Sequence, residues 1–232
     1  MEASEAYFKA GCETDYSRQK TAAGMALKKV NPQRAAQLII EGVQPQIAAG
    51  RFSAAAKSLQ EAGDMFEAED DKDRAMECYK QAAEYYEMDN MGSRANTLWL
   101  KVATINATAG KYDEAIEMFE KVSEAALENH LLKYSVREYL FKAMLCHFAK
   151  DDVVGARRAL EKYSDMDVSF SAQREYKLCE KILEAYEAFD VDAFTTAVAE
   201  FDSLTPLDPF KTTLLLKTKT AIQSAGGETS LC

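Results

Sequence analysis

Several features that point to particular functions are missing from this sequence. Its 232 residues include only four prolines and ten glycines, and no linker-like run rich in Gly, Ser or Pro occurs before residue 224. No apolar stretch approaches the roughly 18 residues needed to cross a bilayer, and no charged-then-apolar leader follows Met1. The sequence therefore predicts one continuous array of elements in the cytoplasm.

Catalytic and metal-binding signatures are missing as well. His130 and His147 have no second histidine four residues away, and the nucleotide-binding and nucleophile motifs GxxxxGK[ST], GxGxxG and GxSxG do not occur. We therefore expect no enzyme activity, no metal and no cofactor. The five cysteines show no paired or ligand-like spacing, which predicts reduced structural thiols; they are Cys12, Cys78, Cys146, Cys179 and Cys232.

The charge balance argues against nucleic acid as a partner. The formal net charge at pH 7 is −10, whereas binding to phosphate backbones needs a dense basic surface. A local basic face remains compatible with this total.

What the sequence does contain is a regular repeat of 20 residues. An alanine recurs at that interval, a larger apolar residue follows it by four positions, and a small residue follows four of the alanines by eight. The alanines are Ala35, Ala55, Ala75, Ala95 and Ala115; the larger residues are Ile39, Leu59, Tyr79, Trp99 and Phe119; the small ones are Gly63, Ala83, Ala103 and Ser123. Chance alanines in a helix-rich chain are the alternative, but they do not explain the repeated flanking positions.

This period fits a helix of about 15 residues and a short turn. It predicts an all-α fold, a right-handed superhelical array of antiparallel hairpins (a TPR-like α-solenoid) of about 11–12 helices, with a less regular helical bundle at the C-terminus. Apolar periodicity and breakers predict helices at 3–17, 21–29, 33–48, 53–67, 72–88, 92–108, 112–127, 132–149, 153–164, 171–188, 191–202 and 208–224.

The same reading divides the chain into four parts. They are a divergent or truncated N-terminal cap at 1–30, TPR-like repeats at 31–189, a C-terminal helical part at 190–223 and a flexible tail at 224–232.

The position two residues after each alanine points away from the packed face, because each residue turns a helix by about 100°. Following this outer column through every second helix gives Lys57, Thr97, Arg137 and Lys177. The interleaved helices give Gln37, Glu77, Glu117 and, after a slip of phase, Arg157 and Arg158. One layer is therefore basic, with Arg51, Arg94 and Lys101 adding to it, which indicates a site for an elongated acidic partner. An ordinary solvated face is the alternative.

Acidic residues concentrate near the C-terminus. Glu184, Glu187, Asp190 and Asp192 cross a helix end, and Asp151 and Asp152 lie in a turn two helices earlier. These turns could share one edge of the array. Docking to a basic partner and simple solvated turns are the two interpretations, because exposed turn carboxylates lack the cleft that acid–base catalysis needs.

Three stretches resemble the alpha/beta type of the soluble NSF attachment protein family. They are residues 131–148, 174–187 and 212–223, and the resemblance covers most of 28–223, most strongly from Gly110 onward. It implies an adaptor without an active site that coats the four-helix SNARE bundle and presents it to the hexameric NSF-type AAA ATPase. A generic TPR-like scaffold that holds a short peptide in another pathway is the alternative.

The resemblance also implies roles for individual residues. The basic positions that would meet the SNARE bundle are Lys28, Lys29, Arg51, Lys57, Lys101 and Arg137, and a further basic family position falls on Thr97. The positions that would face the ATPase are Asp151, Glu184 and Glu187, with Ala188 at the next acidic position; the penultimate Leu231 would stimulate ATP hydrolysis. No counterpart of the family's membrane-contacting region precedes Tyr7, so peripheral membrane association is expected only through SNAREs; a shortened or divergent N-terminus would explain this difference.

Overall fold

A computed structural model describes residues 13–128 and 132–229 as helices joined by short turns, without a strand in either range. The all-α prediction is therefore confirmed. Predictions that concern Cys12, His130, Leu231 and Cys232 lie outside the described residues. None of the helices described is both long and apolar enough to cross a bilayer.

The helices follow one another with short connections. They are α1 (Glu13–Leu27), α2 (Pro32–Glu41), α3 (Val43–Ala48), α4 (Phe52–Ala68), α5 (Lys72–Met88), α6 (Gly92–Thr108), α7 (Tyr112–Leu127), α8 (Val136–Ala149), α9 (Val153–Met166), α10 (Arg174–Glu187), α11 (Val191–Leu204) and α12 (Pro209–Thr229), with 3₁₀ turns at Lys133–Ser135 and Phe170–Ala172. The chain divides into two compact units, an N-terminal unit up to Ile105 and a C-terminal unit from Asn106.

The 20-residue repeat is visible in the backbone itself. Helices α4 to α7 begin at Phe52, Lys72, Gly92 and Tyr112. The turn before each of them contains one residue in the left-handed region: Gly50 (φ 66°), Asp70 (φ 58°), Asn90 (φ 56°) and Gly110 (φ 80°). Gly, Asn and Asp are the residue types that tolerate this conformation best. The hairpin turns therefore repeat in conformation as well as in length.

The repeated positions form the core, as the sequence predicts. All five alanines of the repeat are fully buried, and the larger residues that follow them are at most 7% exposed. The small residues eight positions on permit close packing: a Cβ added at Gly63 would lie 2.7 Å from Cε1 of Tyr79. The aromatic ring therefore lies where a side chain at position 63 would have to be.

The beginning of the N-terminal unit differs from the sequence prediction. One continuous helix, α1, replaces the break predicted between 17 and 21. Polar residues in this part of α1 have partners outside the helix: Ser17 Oγ donates to the Gly42 carbonyl at 2.7 Å, and Lys20 Nζ donates to Glu41 Oε2 at 2.6 Å. The predicted helix at 33–48 is instead divided at Gly42 into α2 and α3.

In the C-terminal unit, α8 is the central element. It packs against α7, α9, α10 and α12, while α10 pairs with α11. Aromatic rings connect these helices, with the Phe141 and Phe201 ring centroids 5.6 Å apart and those of Phe119 and Phe210 6.3 Å apart. Helix α12 ends at Thr229, five residues beyond the predicted end at 224.

Candidate functional site

The outer column of the repeat is exposed, as its phase predicts. Each of its members is exposed to solvent, in both units: Gln37, Lys57, Glu77, Thr97, Glu117, Arg137, Arg157, Arg158 and Lys177. The helical phase therefore identifies which side chains are available to a partner.

In the N-terminal unit, three consecutive helices line one groove. Lys57 and Gln60 of α4, Tyr86 of α5, and Arg94 and Thr97 of α6 line it, and Glu61 and Leu98 complete the lining. Helices α4 and α6 thus share a face, as the period of two helices predicts. Within the described residues, no carboxylate lies within 4.0 Å of the charged nitrogens of Lys57 or Arg94, so both cations are available in the groove.

Lys101, which the sequence places in the same basic layer, is paired with carboxylates of its own unit and is only partly exposed. Its Nζ lies 2.8 Å from Asp64 Oδ1 and 2.9 Å from Glu67 Oε2, and it also donates to the Tyr79 hydroxyl at 2.9 Å. The Tyr79 hydroxyl lies 2.7 Å from each of the same two carboxylate oxygens, so its single proton is donated to one of them. We call these four residues the Lys101 network.

Electrostatic effects in the Lys101 network favour charged Lys101 and Glu67. Burial acts to lower the pKa of Lys101, but the hydrogen bonds to Asp64 and Glu67 and their charges outweigh it and raise the pKa. Burial likewise acts to raise the pKa of Glu67, but its hydrogen bonds with Lys101 and Tyr79 outweigh burial, so the pKa is lowered. The Lys101 charge is therefore balanced by neighbouring carboxylates, which weakens its attraction for an acidic partner. The role of Lys101 in partner binding stays a prediction.

The other predicted SNARE-facing residues are spread over both units. Lys28 and Lys29 are exposed in the turn after α1, and Arg51 is exposed with Nη2 donating to Thr14 Oγ1 at 3.2 Å. In the C-terminal unit, Arg137 Nη1 donates to Gln173 Oε1 at 3.2 Å, and its Nε lies 4.0 Å from Glu175 Oε1. The Arg137 side chain remains 51% exposed despite these contacts.

The predicted acidic positions come together in the C-terminal unit. Asp151 lies in the turn between α8 and α9 with φ 66°, and it accepts a hydrogen bond from the hydroxyl of Tyr186 on α10. Tyr186 lies between Glu184 and Glu187 in sequence, and all three carboxylates are exposed. We call Asp151, Glu184 and Glu187 the acidic edge.

Tyr186 is suited to hold the acidic edge together. Burial and the hydrogen bond to Asp151 raise the pKa of its hydroxyl, so it remains a proton donor. Asp152 and Asp190, which the sequence grouped with these acids, cap helices instead: they accept from the backbone N–H of Gly155 and Ala193, each at 2.8 Å.

Sequence reasoning missed one contact of the acidic edge. The Arg157 guanidinium of α9 donates to Glu187 Oε1, and this bond and the Glu187 charge raise the pKa of Arg157. The sequence placed Arg157 on the outer column but did not link it to position 187. Its charge opposes that of the acidic edge.

Burial keeps the thiols of two cysteines and the imidazole of one histidine uncharged. The described part of the chain contains no cluster of His, Cys, Asp and Glu that could hold a metal ion. Cys78 and Cys146 are buried, which raises the pKa values of their thiols to about 11 and about 12, and burial lowers the pKa of His147. These groups are therefore neutral core residues near pH 7.

Comparison with known proteins finds a matching family model and several similar sequences. A family model described as "Soluble NSF attachment protein, SNAP" matches residues 1–223. The "Beta-soluble NSF attachment protein" of Bos taurus is 42% identical over 205 residues, which are 88% of this chain and 68% of that protein. The "Probable vesicular-fusion protein sec17 homolog" of Schizosaccharomyces pombe (strain 972 / ATCC 24843) is 37% identical over 224 residues, or 96% of this chain and 78% of that protein. A solved tetratricopeptide repeat protein of Parabacteroides merdae ATCC 43184 is 14% identical, and the match covers 94% of this chain and 96% of that protein with a TM-score of 0.29.

Proposed function

Because the chain belongs to the soluble NSF attachment protein family, we propose that it is an adaptor of SNARE disassembly in vesicle trafficking. It binds the assembled four-helix SNARE bundle through its basic groove and neighbouring cations. It recruits and stimulates the hexameric NSF-type ATPase through the acidic edge, and it catalyses no reaction itself. It acts from the cytoplasm and reaches membranes through the SNAREs.

The observation that carries this proposal is the acidic edge. Asp151 is separated by a helix from Glu184 and Glu187, yet the bond from Tyr186 brings it to the same end of α10. Exposed carboxylates gathered in this way favour a basic partner surface and speed its association. The groove with Lys57 and Arg94 has the opposite charge and belongs to the other unit, which suits an adaptor with two different partners.

The first prediction concerns the binding of SNAREs by the basic residues. Lys57→Gln is expected to weaken binding to assembled SNARE bundle about threefold near 0.1 M salt, because an exposed cation that meets a carboxylate contributes up to about 1 kcal/mol. Arg137→Gln should have a similar or smaller effect, since Gln173 and Glu175 already contact its guanidinium. Binding is measured by titration at several salt concentrations, and the difference between wild type and variant should shrink as salt rises.

Two results would count against this half of the proposal. Unchanged affinity in both variants would mean that the basic residues are not the binding surface. A wild-type protein that recovers neither SNAREs nor an NSF-type ATPase from cytosol would favour the generic peptide-binding scaffold.

The second prediction concerns the cation that opposes the acidic edge. Arg157→Gln is expected to strengthen binding to the ATPase, in the presence of SNARE bundle, about two- to threefold, because it frees Glu187 and removes a repulsive charge. Arg158→Gln is the matched control: it is the next residue, also exposed, and changes the net charge by the same amount. Equal gains in both variants would show an effect of total charge rather than of the contact between Arg157 and Glu187.

A further inference from the structure

The groove of the N-terminal unit has two residues of α6 on the same side, one helical turn apart. They are Arg94 and Thr97, and both are exposed. The Thr97 hydroxyl donates to the Ser93 carbonyl at 3.0 Å, so its proton is engaged within the helix. Position 97 therefore presents neither a charge nor a free donor to the groove, although it lies on the outer column. Arg94 is the cation that α6 offers there.

The Arg94 guanidinium is positioned by an aromatic ring. Its Cζ lies 5.6 Å from the ring centroid of Tyr86, whose side chain is only 1% exposed. The Tyr86 hydroxyl in turn donates to Gln60 Oε1 at 3.4 Å across the groove. A guanidinium over a fixed ring loses less freedom when it binds a partner, and its planar donors match a carboxylate in two places.

The charges around Arg94 leave it available. No carboxylate of the described residues lies within 4.0 Å of its guanidinium, and the same holds for Lys57 on the opposite wall. Glu61 also lines the groove and makes no ion pair with either cation among the described residues. The groove thus has two cations on facing helices, α4 and α6, with an aromatic residue of α5 between them.

We propose that Arg94 is a partner-binding residue that takes the place of a cation at Thr97. With Lys57 it forms a two-point site for carboxylate side chains on one face of an acidic helical bundle. Arg94 supplies the bidentate contact and Lys57 a point charge. This inference rests on the proposed function, since the acidic helical partner is the assembled SNARE bundle.

The test moves the charge between the two positions of α6. Arg94→Gln is expected to weaken binding to purified SNARE bundle three- to fivefold near 0.1 M salt and to lower the slope of log affinity against log salt. Adding Thr97→Lys in the Arg94→Gln background should restore most of the affinity, because it returns a cation to the same side of the groove. Arg18→Gln is the control: the Arg18 side chain is 74% exposed, pairs with Asp15 on α1, and is not part of the groove lining.

The outcomes separate this inference from the proposed function. If Lys57→Gln weakens binding while Arg94→Gln behaves like Arg18→Gln, SNARE binding stands and the role of Arg94 is wrong. If Arg94→Gln weakens binding but Thr97→Lys does not restore it, the interchange of the two positions is wrong. If the wild-type protein does not bind the SNARE bundle, both proposals are overturned. Far-ultraviolet circular dichroism of each variant checks that the helices are intact.

Discussion

Tyr79→Ala is expected to lower the free energy of unfolding of the N-terminal unit by about 4 kcal/mol, within the range for deleting a fully buried aromatic ring. The ring is fully buried and lies against Gly63, where an added Cβ would be 2.7 Å away. Glycine cannot fill the space that the ring leaves. The variant also removes the hydroxyl from the Lys101 network, so the carboxylate that accepts its proton, Asp64 or Glu67, loses that donor.

The chain offers a specific probe for this measurement. Trp99 is its single tryptophan, and it lies in the N-terminal unit, 7% exposed, with Nε1 donating to Glu87 Oε1 at 2.7 Å. Urea unfolding followed by tryptophan fluorescence therefore reports on this unit, while circular dichroism reports on both.

Tyr79→Phe separates the two contributions. It keeps the ring and removes the hydroxyl, so we expect a loss of about 1.5–3 kcal/mol, typical of a hydrogen bond to a charged group. An alanine variant no less stable than the phenylalanine variant would contradict the packing of the ring against Gly63.

Charge reversal at Glu184 is expected to have the largest effect on partner binding. Glu184→Lys should weaken recruitment of the NSF-type ATPase to SNARE-bound protein by about tenfold or more, because it removes an attractive charge and places a like charge opposite a basic surface. Glu184 is exposed, so the helix that carries it should tolerate the change. ATPase stimulation and SNARE disassembly should fall together with recruitment.

Glu117→Lys is the matched control for this reversal. Glu117 is also exposed, lies on α7 of the same unit and belongs to the outer column rather than to the acidic edge. An equal loss of recruitment in the two variants would point to total charge, and would remove the acidic edge from the proposed mechanism.

The repeat made part of the fold predictable from sequence. Helices α4 to α7 match their predicted bounds to within one residue at each end, because packing and turns repeat together every 20 residues. Helix α1 was harder to predict because it has no alanine register. Its continuity depends on distant partners for Ser17 and Lys20, and a local pattern contains no information about them.

The candidate site was predictable in its positions but not in its pairings. Helical phase correctly gave the exposed positions, including Lys57 and Arg157. It did not show that Lys101 reaches Asp64, that Lys150 reaches Asp113, or that Tyr186 reaches Asp151. These pairs are separated by 37, 37 and 35 residues, slightly less than two repeats. A search for opposite charges at that separation would have suggested the first two pairs. A long side chain can contact any of several neighbours, however, so such a search does not identify the partner uniquely.

The Lys101 network should also affect how the helices of the N-terminal unit unfold. Stacked repeats ordinarily contact only their immediate neighbours and can fray inward from an end, one hairpin at a time. Here a side chain of α6 reaches across α5 to two carboxylates of α4. Peeling α6 away would break the ion pairs of Lys101 with Asp64 and Glu67 and its hydrogen bond to the Tyr79 hydroxyl, so these three helices should open as one cooperative block.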